Sequence, residues 1–134
     1  MLGACSPSCQ HPLVIGRLHH VILDCPDPQV LAQFYSALLG HPVTHRSDAF
    51  CVVAASSEVS GLAFQRIAHH VAPTWPDQAV PQQLHLDVMV DDVEAARPAV
   101  VQLGAHLLNG DVYADPAGHP FCLIPRPSWA SSVS

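Results

Sequence analysis

The 134-residue chain contains one pattern twice, and that repeat restricts its possible folds more than any other feature. His20-Val-Ile-Leu-Asp-Cys-Pro-Asp27 and His85-Leu-Asp-Val-Met-Val-Asp-Asp92 share a plan: a histidine opens a run rich in Val, Ile and Leu, and an aspartate stands seven residues later. Runs of this composition suit strands. After each aspartate comes a helical pattern closed by glycine, Pro28 to Leu39 with Gly40 and Val93 to Leu103 with Gly104. The copies are offset by 65 residues at the histidines and by 64 at the glycines.

Each helix has a start, a face and a stop. Asp27 is placed to cap the first helix, and Pro28 loses nothing at a position where its N–H would be an orphan. Leu31, Phe34, Tyr35 and Leu38 form one apolar face, Gly40 supplies a left-handed closing residue, and Pro42 prevents continuation. The second helix has Asp92 as cap, Glu94 in its first turn and Val93, Ala96, Val100 and Leu103 as its predicted buried face, with a kink expected at Pro98. Strand patterns follow at 43–46, 50–55 and 61–67, and again at 106–108, 111–114 and 119–124, with a turn at Asp115-Pro-Ala-Gly118. The order is β-α-β-β-β, twice, within an α+β class. We expect a loose leader over 1–16, a first module over 17–68, a Pro-rich linker over 69–83, a second module over 84–126 and a loose tail over 127–134.

Composition removes several function classes. All five basic residues are arginines, so a Schiff-base lysine and a phosphate-loop lysine are excluded. A net charge of −6 with scattered arginines offers no basic stripe for nucleic acid. No apolar run approaches the ~18 residues of a spanning helix, so no membrane is expected. Five cysteines at irregular spacing do not read as a disulfide framework, and the leader has no secretory pattern, which makes the cytoplasm the expected compartment. Cys5, Cys9 and His11 in the leader read as incidental rather than as a metal site.

The words HHVILDCPDP with FYSALLG, WPDQAVPQQLHLDVMVDD, LGA and DPAGHPFCLI cover Leu18 to Ile124. Together they resemble the glyoxalase / bleomycin-resistance / extradiol-dioxygenase group, the vicinal oxygen chelate superfamily, and within it the small bacterial glyoxalase-like proteins. The resemblance implies two tandem βαβββ modules curled into a U-shaped mixed sheet, a half-barrel around a central cleft, completed or buttressed by a homodimer. It does not fix an activity, because one fold carries many chemistries. It leaves two functions open: a metal-assisted lyase or isomerase of unassigned substrate, and a non-catalytic drug- or metabolite-binding protein of the bleomycin-resistance type.

Strand parity then tests which residues share a face. On the first strand His19, Val21, Leu23 and Cys25 form the apolar set under the helix, leaving His20, Ile22 and Asp24 toward the cleft. On its counterpart Leu84, Leu86, Val88 and Val90 face the helix, leaving His85, Asp87 and Met89. The resemblance adds the last strand of each module, where metal enzymes of the superfamily carry a carboxylate and this chain has Gln65 and Cys122. A ligand set of His20, His85, Gln65 and Cys122 would suit one divalent Zn, Ni, Fe, Co or Mn ion, the thiol favouring a softer one. The two histidines equally fit a metal-free cleft in which they hydrogen-bond a small-molecule ligand. Asp24 and Asp87 stand as general-base candidates or as solvated structural carboxylates. Cys122 reads as a nucleophile beside histidine or as an inert thiol. Trp75, with Ile22 and Met89, reads as a ligand wall or as an anchor for the linker. His41, His45, His69, His70, His106 and His119 read as loop or surface residues.

Overall fold

Each copy of the repeat lays one helix across one face of a four-stranded sheet. Residues 14–133 are described by the structure, a computed structural model, so Cys5, Cys9 and His11 lie outside the described residues. The first module runs β1 (His20–Cys25), α1 (Pro28–Leu39), β2 (Val43–Arg46), β3 (Phe50–Val53) and β4 (Gly61–Arg66). The second runs β5 (Leu86–Val90), α2 (Val93–Leu103), β6 (His106–Asn109), β7 (Val112–Ala114) and β8 (Pro120–Pro125). The spatial orders are β1-β4-β3-β2 and β5-β8-β7-β6. β1 pairs with β4 and β5 with β8 in parallel; the other neighbours are antiparallel. The expected α+β class and tandem modules are therefore present, as two open sheets with no ladder joining them among the described residues. No described helix is long and apolar enough to cross a membrane.

The helix ends follow from the residues at them. The Asp27 carboxylate accepts from the Gln29 and Val30 N–H groups at 3.1 and 3.4 Å, and Asp92 accepts from Ala95 at 3.2 Å. Gly40 and Gly104 close the two helices at φ 70° and 119°. α1 buries Leu31, Phe34 and Tyr35, as its periodicity requires. α2 departs from expectation. Only Val100 of its predicted face is buried and Leu103 is 40% exposed, while the helix continues through Pro98. That proline forfeits one hydrogen bond, to the Glu94 carbonyl, and the intact neighbours on either side keep the turn.

The two helix-bearing faces share one core. Leu23, Cys25, Tyr35 and Phe64 of the first module cluster with Val88, Val100, Phe121 and Leu123 of the second. Tyr35 stacks on Phe64 with ring centroids 5.4 Å apart, and Phe34 meets Phe121 at 5.9 Å. The Phe34-Tyr35 pair thus uses adjacent positions of α1 to hold both sheets. The Tyr35 hydroxyl donates to Asp115 across the module boundary at 2.7 Å.

Burial, reinforced by the Asp115 carboxylate, pushes the Tyr35 phenol well above its ordinary value near 10. Burial likewise pushes the Cys25 thiol from 9.0 up to about 11, with nearby acidic groups adding to it. Both groups hold their protons more tightly folded than unfolded. The Cys25 contribution to stability is therefore complete below about pH 9 and is lost as the pH climbs through 11, and the Tyr35 contribution begins to fall only above about pH 10. Urea denaturation at pH 7, 9 and 11 should show a plateau and then a fall; unchanged stability at pH 11 would rule this coupling out.

The linker carries hydrogen bonds of its own. Thr74 and Val80 bond reciprocally, Thr74 N–H to the Val80 carbonyl at 2.8 Å and Val80 N–H to Thr74 Oγ1 at 3.0 Å. At the other end of the linker, Gly118 of the β7–β8 turn sits at φ +93°, and a Cβ there would lie 2.5 Å from the Ala72 Cβ. Gly118→Ala should therefore cost about 1–3 kcal/mol in a denaturation experiment, from a strained backbone and a displaced linker together. A loss below the measurement error would mean that the linker does not press on this turn.

Candidate functional site

The second module assembles a donor cluster on the face of its sheet away from the core. His85 and Asp87 are two residues apart, and the β5–β8 register sets Asp87 opposite Cys122. The His85 imidazole, Asp87 carboxylate and Cys122 thiol offer donor atoms that all lie within 4.8 Å of one another. His85 Nε2 is 3.5 Å from Asp87 Oδ1, with the two side chains 46% and 53% exposed. Cys122 is half-buried, and burial first, then the Asp87 charge, pushes its thiol upward. Without a cation the sulfur holds its proton; a bound cation would have to displace it. One nitrogen, one oxygen and one sulfur donor, approached from solvent, match the three-ligand open sites of catalytic zinc and of similar divalent ions. The donor set fits such a metal.

The first module places its candidates differently. His20 lies on a cavity of about 300 Å³ lined by His19, Thr44, His45, Phe50, Val52 and Ser57, all from its own module. The Gly61 N–H donates to His20 Nδ1 at 3.1 Å, which leaves the hydrogen of the neutral ring on Nε2. Partial burial and the adjacent His19 hold its pKa below the usual 6.5. The register sets Gly61 opposite His20 and Gln65 opposite Asp24, so Gln65 is four residues further along the strand, ~13 Å at strand rise. Within the chain, His20 is not among the residues of the His85 cluster.

A second cavity, of about 270 Å³, opens between the edge strands β1 and β5 beneath the linker. Ile22 and Asp24 line it, as do Tyr35, Leu86 and, from the loops, His70 and His119. Trp75 and Met89 are half-buried and absent from its wall, so of the three expected ligand contacts only Ile22 stands there. Three of the histidines assigned to loops or the surface prove to be cavity residues: His45, His70 and His119. The reason is tertiary. His70 reaches the Ala117 carbonyl and His119 the Asp24 carbonyl, over 47 and 95 residues of sequence, and no local pattern encodes either contact.

Two tandem βαβββ modules around one core, with a donor cluster on the sheet face away from it, define a paired-module α+β protein of the glyoxalase type. The family model for the glyoxalase-like domain matches residues 20–124, and the chain belongs to that family. Among curated proteins, none matches the sequence. Solved structures share the fold at low identity. A glyoxalase/bleomycin resistance protein/dioxygenase family enzyme of Burkholderia phytofirmans is 18% identical, with a TM-score of 0.62 over 82% of this chain and 98% of that one. The fosfomycin resistance protein of Mesorhizobium loti is 14% identical, TM-score 0.59, over 87% and 96%. The trypanothione-dependent glyoxalase I of Leishmania major is 18% identical, TM-score 0.58, over 82% and 86%.

Proposed function

We propose that this chain is a small-molecule-binding protein of the glyoxalase-like family whose reaction centre is a divalent metal held by His85, Asp87 and Cys122, acting as a lyase or isomerase. The observation that carries the reading is the convergence of three different donor atoms within 4.8 Å of one another. A divalent ion there supplies a Lewis acid for adjacent oxygens of a substrate. The residues then have separate tasks. His85 would hold the ion through a ring nitrogen, Cys122 through its sulfur once its proton had passed to solvent, and Asp87 through a carboxylate oxygen that would balance the ion's charge. In this reading Asp87 is a ligand first, and the proton transfer falls to a group outside the cluster.

His20 and Gln65 enter as the contribution of a second copy. In a homodimer that lays the first module of one chain on the second module of the other, those two side chains complete the coordination. His20 would have to surrender its Gly61 bond and shift its hydrogen to Nδ1. His20→Ala should therefore weaken the site less than His85→Ala.

After dialysis against Zn²⁺ and then metal-free buffer, elemental analysis should find close to one zinc per chain, and far less in Asp87→Ala. An equal zinc content in the two proteins would remove the proposed centre. A second reading, binding without chemistry, is favoured by Gln65 and Cys122 standing where related metal enzymes carry carboxylates. It expects ligands whose affinity is unchanged by EDTA.

A further inference from the structure

The cavity between β1 and β5 shares no lining residue with the His85 cluster, and its polar groups are biased in one direction. His70 Nε2 lies 2.8 Å from the Ala117 carbonyl, and His119 Nε2 lies 2.6 Å from the Asp24 carbonyl. A carbonyl has no hydrogen to give, so both rings donate through Nε2, and each neutral ring keeps its lone pair on Nδ1. The two ring centroids are 5.6 Å apart. Asp24 also lines this wall, its backbone carbonyl held by His119 and its side chain exposed.

Gln82 supplies the independent sign of a ligand. It lines the cavity, and its Oε1 is buried with no hydrogen-bond partner among the described residues. A buried acceptor left unpaired is destabilising, and an occupant that brings a donor recovers the loss. No arginine lines the cavity and the chain has no lysine. The Tyr35 hydroxyl is committed to Asp115, and the Gln83 amide can serve either as donor or as acceptor. The remaining wall is hydrocarbon, from Ile22, Ile67, Val71, Leu84 and Leu86.

The geometry points to a binding site for a small apolar primary amine in its protonated form. Its ammonium hydrogens would be shared among Asp24, the Gln82 oxygen and the imidazole lone pairs, and its ring or chain would rest on the aliphatic wall. A volume of about 270 Å³ suits a one-ring or short-chain molecule rather than a drug-sized one. The linker, pinned by Thr74 to Val80 and by His70 to Ala117, forms the roof.

The test uses the full chain in EDTA, so that no metal at the His85 cluster contributes. Isothermal titration at pH 7 compares 2-phenylethylamine with 2-phenylethanol and 3-phenylpropionate, which share its hydrocarbon part. The amine should bind, the alcohol roughly tenfold more weakly because it lacks the charged donor, and the carboxylate not measurably. Gln82→Leu and Asp24→Asn should each weaken the amine roughly tenfold, while Gln82→Leu leaves zinc uptake by the His85 cluster unchanged. Absence of amine binding, a carboxylate that binds as well as the amine, or full amine affinity in both variants overturns the proposal. Loss of zinc binding with amine binding intact would count against the metal centre alone.

Discussion

Asp115→Ala should lower the unfolding free energy by about 3–5 kcal/mol, the largest stability loss expected from a single polar residue in this chain. Asp115 is 1% exposed, and its carboxylate accepts three bonds. Oδ2 takes the Tyr35 hydroxyl at 2.7 Å, and Oδ1 takes the N–H groups of Ala117 and His119 at 2.8 and 3.0 Å. Alanine would orphan all three donors at once. The phenol would suffer most, because Tyr35 is fully buried and its ring is packed against Phe64 and Phe34. Tyr35→Phe, which removes one donor and leaves the turn bonds, should cost only about 1–3 kcal/mol. The double variant should fall short of the sum, since both changes break the same bond. Urea denaturation reads all three values. An Asp115→Ala protein within about 1 kcal/mol of the parent would mean that the aspartate does not tie the two modules together.

The second large effect concerns metal affinity. His85→Ala and Cys122→Ser should each weaken Zn²⁺ binding by about a hundredfold or more. Loss of a residue that merely orients a ligand already costs 10–100-fold in comparable sites, and these residues supply the donor atoms themselves. His20→Ala should change the affinity by about tenfold or less, because its Nδ1 is committed to Gly61. Competition titration against a chromophoric chelator separates these values. A His20 variant as damaging as the His85 variant would relocate the centre toward the first module and the dimer.

The architecture was legible because every level of the sequence agrees on it. The His-to-Asp spacing repeats, Asp27 and Asp92 cap, Gly40 and Gly104 close, and the β1 alternation buries Leu23 and Cys25 while exposing Ile22 and Asp24. Parity also grouped His85 with Asp87, and the resemblance drew attention to Cys122, so the members of the donor cluster were all in view. What the sequence did not reveal was how they combine. Faces can be read from alternation, but the pairing that sets Asp87 opposite Cys122 and Gly61 opposite His20 is a matter of register, which alternation does not encode. The Tyr35–Asp115 bond was hidden for a related reason. An aspartate in a Pro-Gly turn is fully explained by its local bonds, and nothing local announces a partner 80 residues away. α2 misled through its pattern, since apolar spacing gives a face without saying how much of that face the rest of the fold covers.

The most direct measurement is a Co²⁺ titration of a chain carrying Cys5→Ser and Cys9→Ser, followed by ultraviolet absorption. Cobalt bound to a cysteine thiolate gains a sulfur-to-metal charge-transfer band that oxygen and nitrogen ligands do not produce. This band should saturate near one equivalent and vanish on the further change Cys122→Ser. No band in the starting protein, or an undiminished band without Cys122, would contradict it.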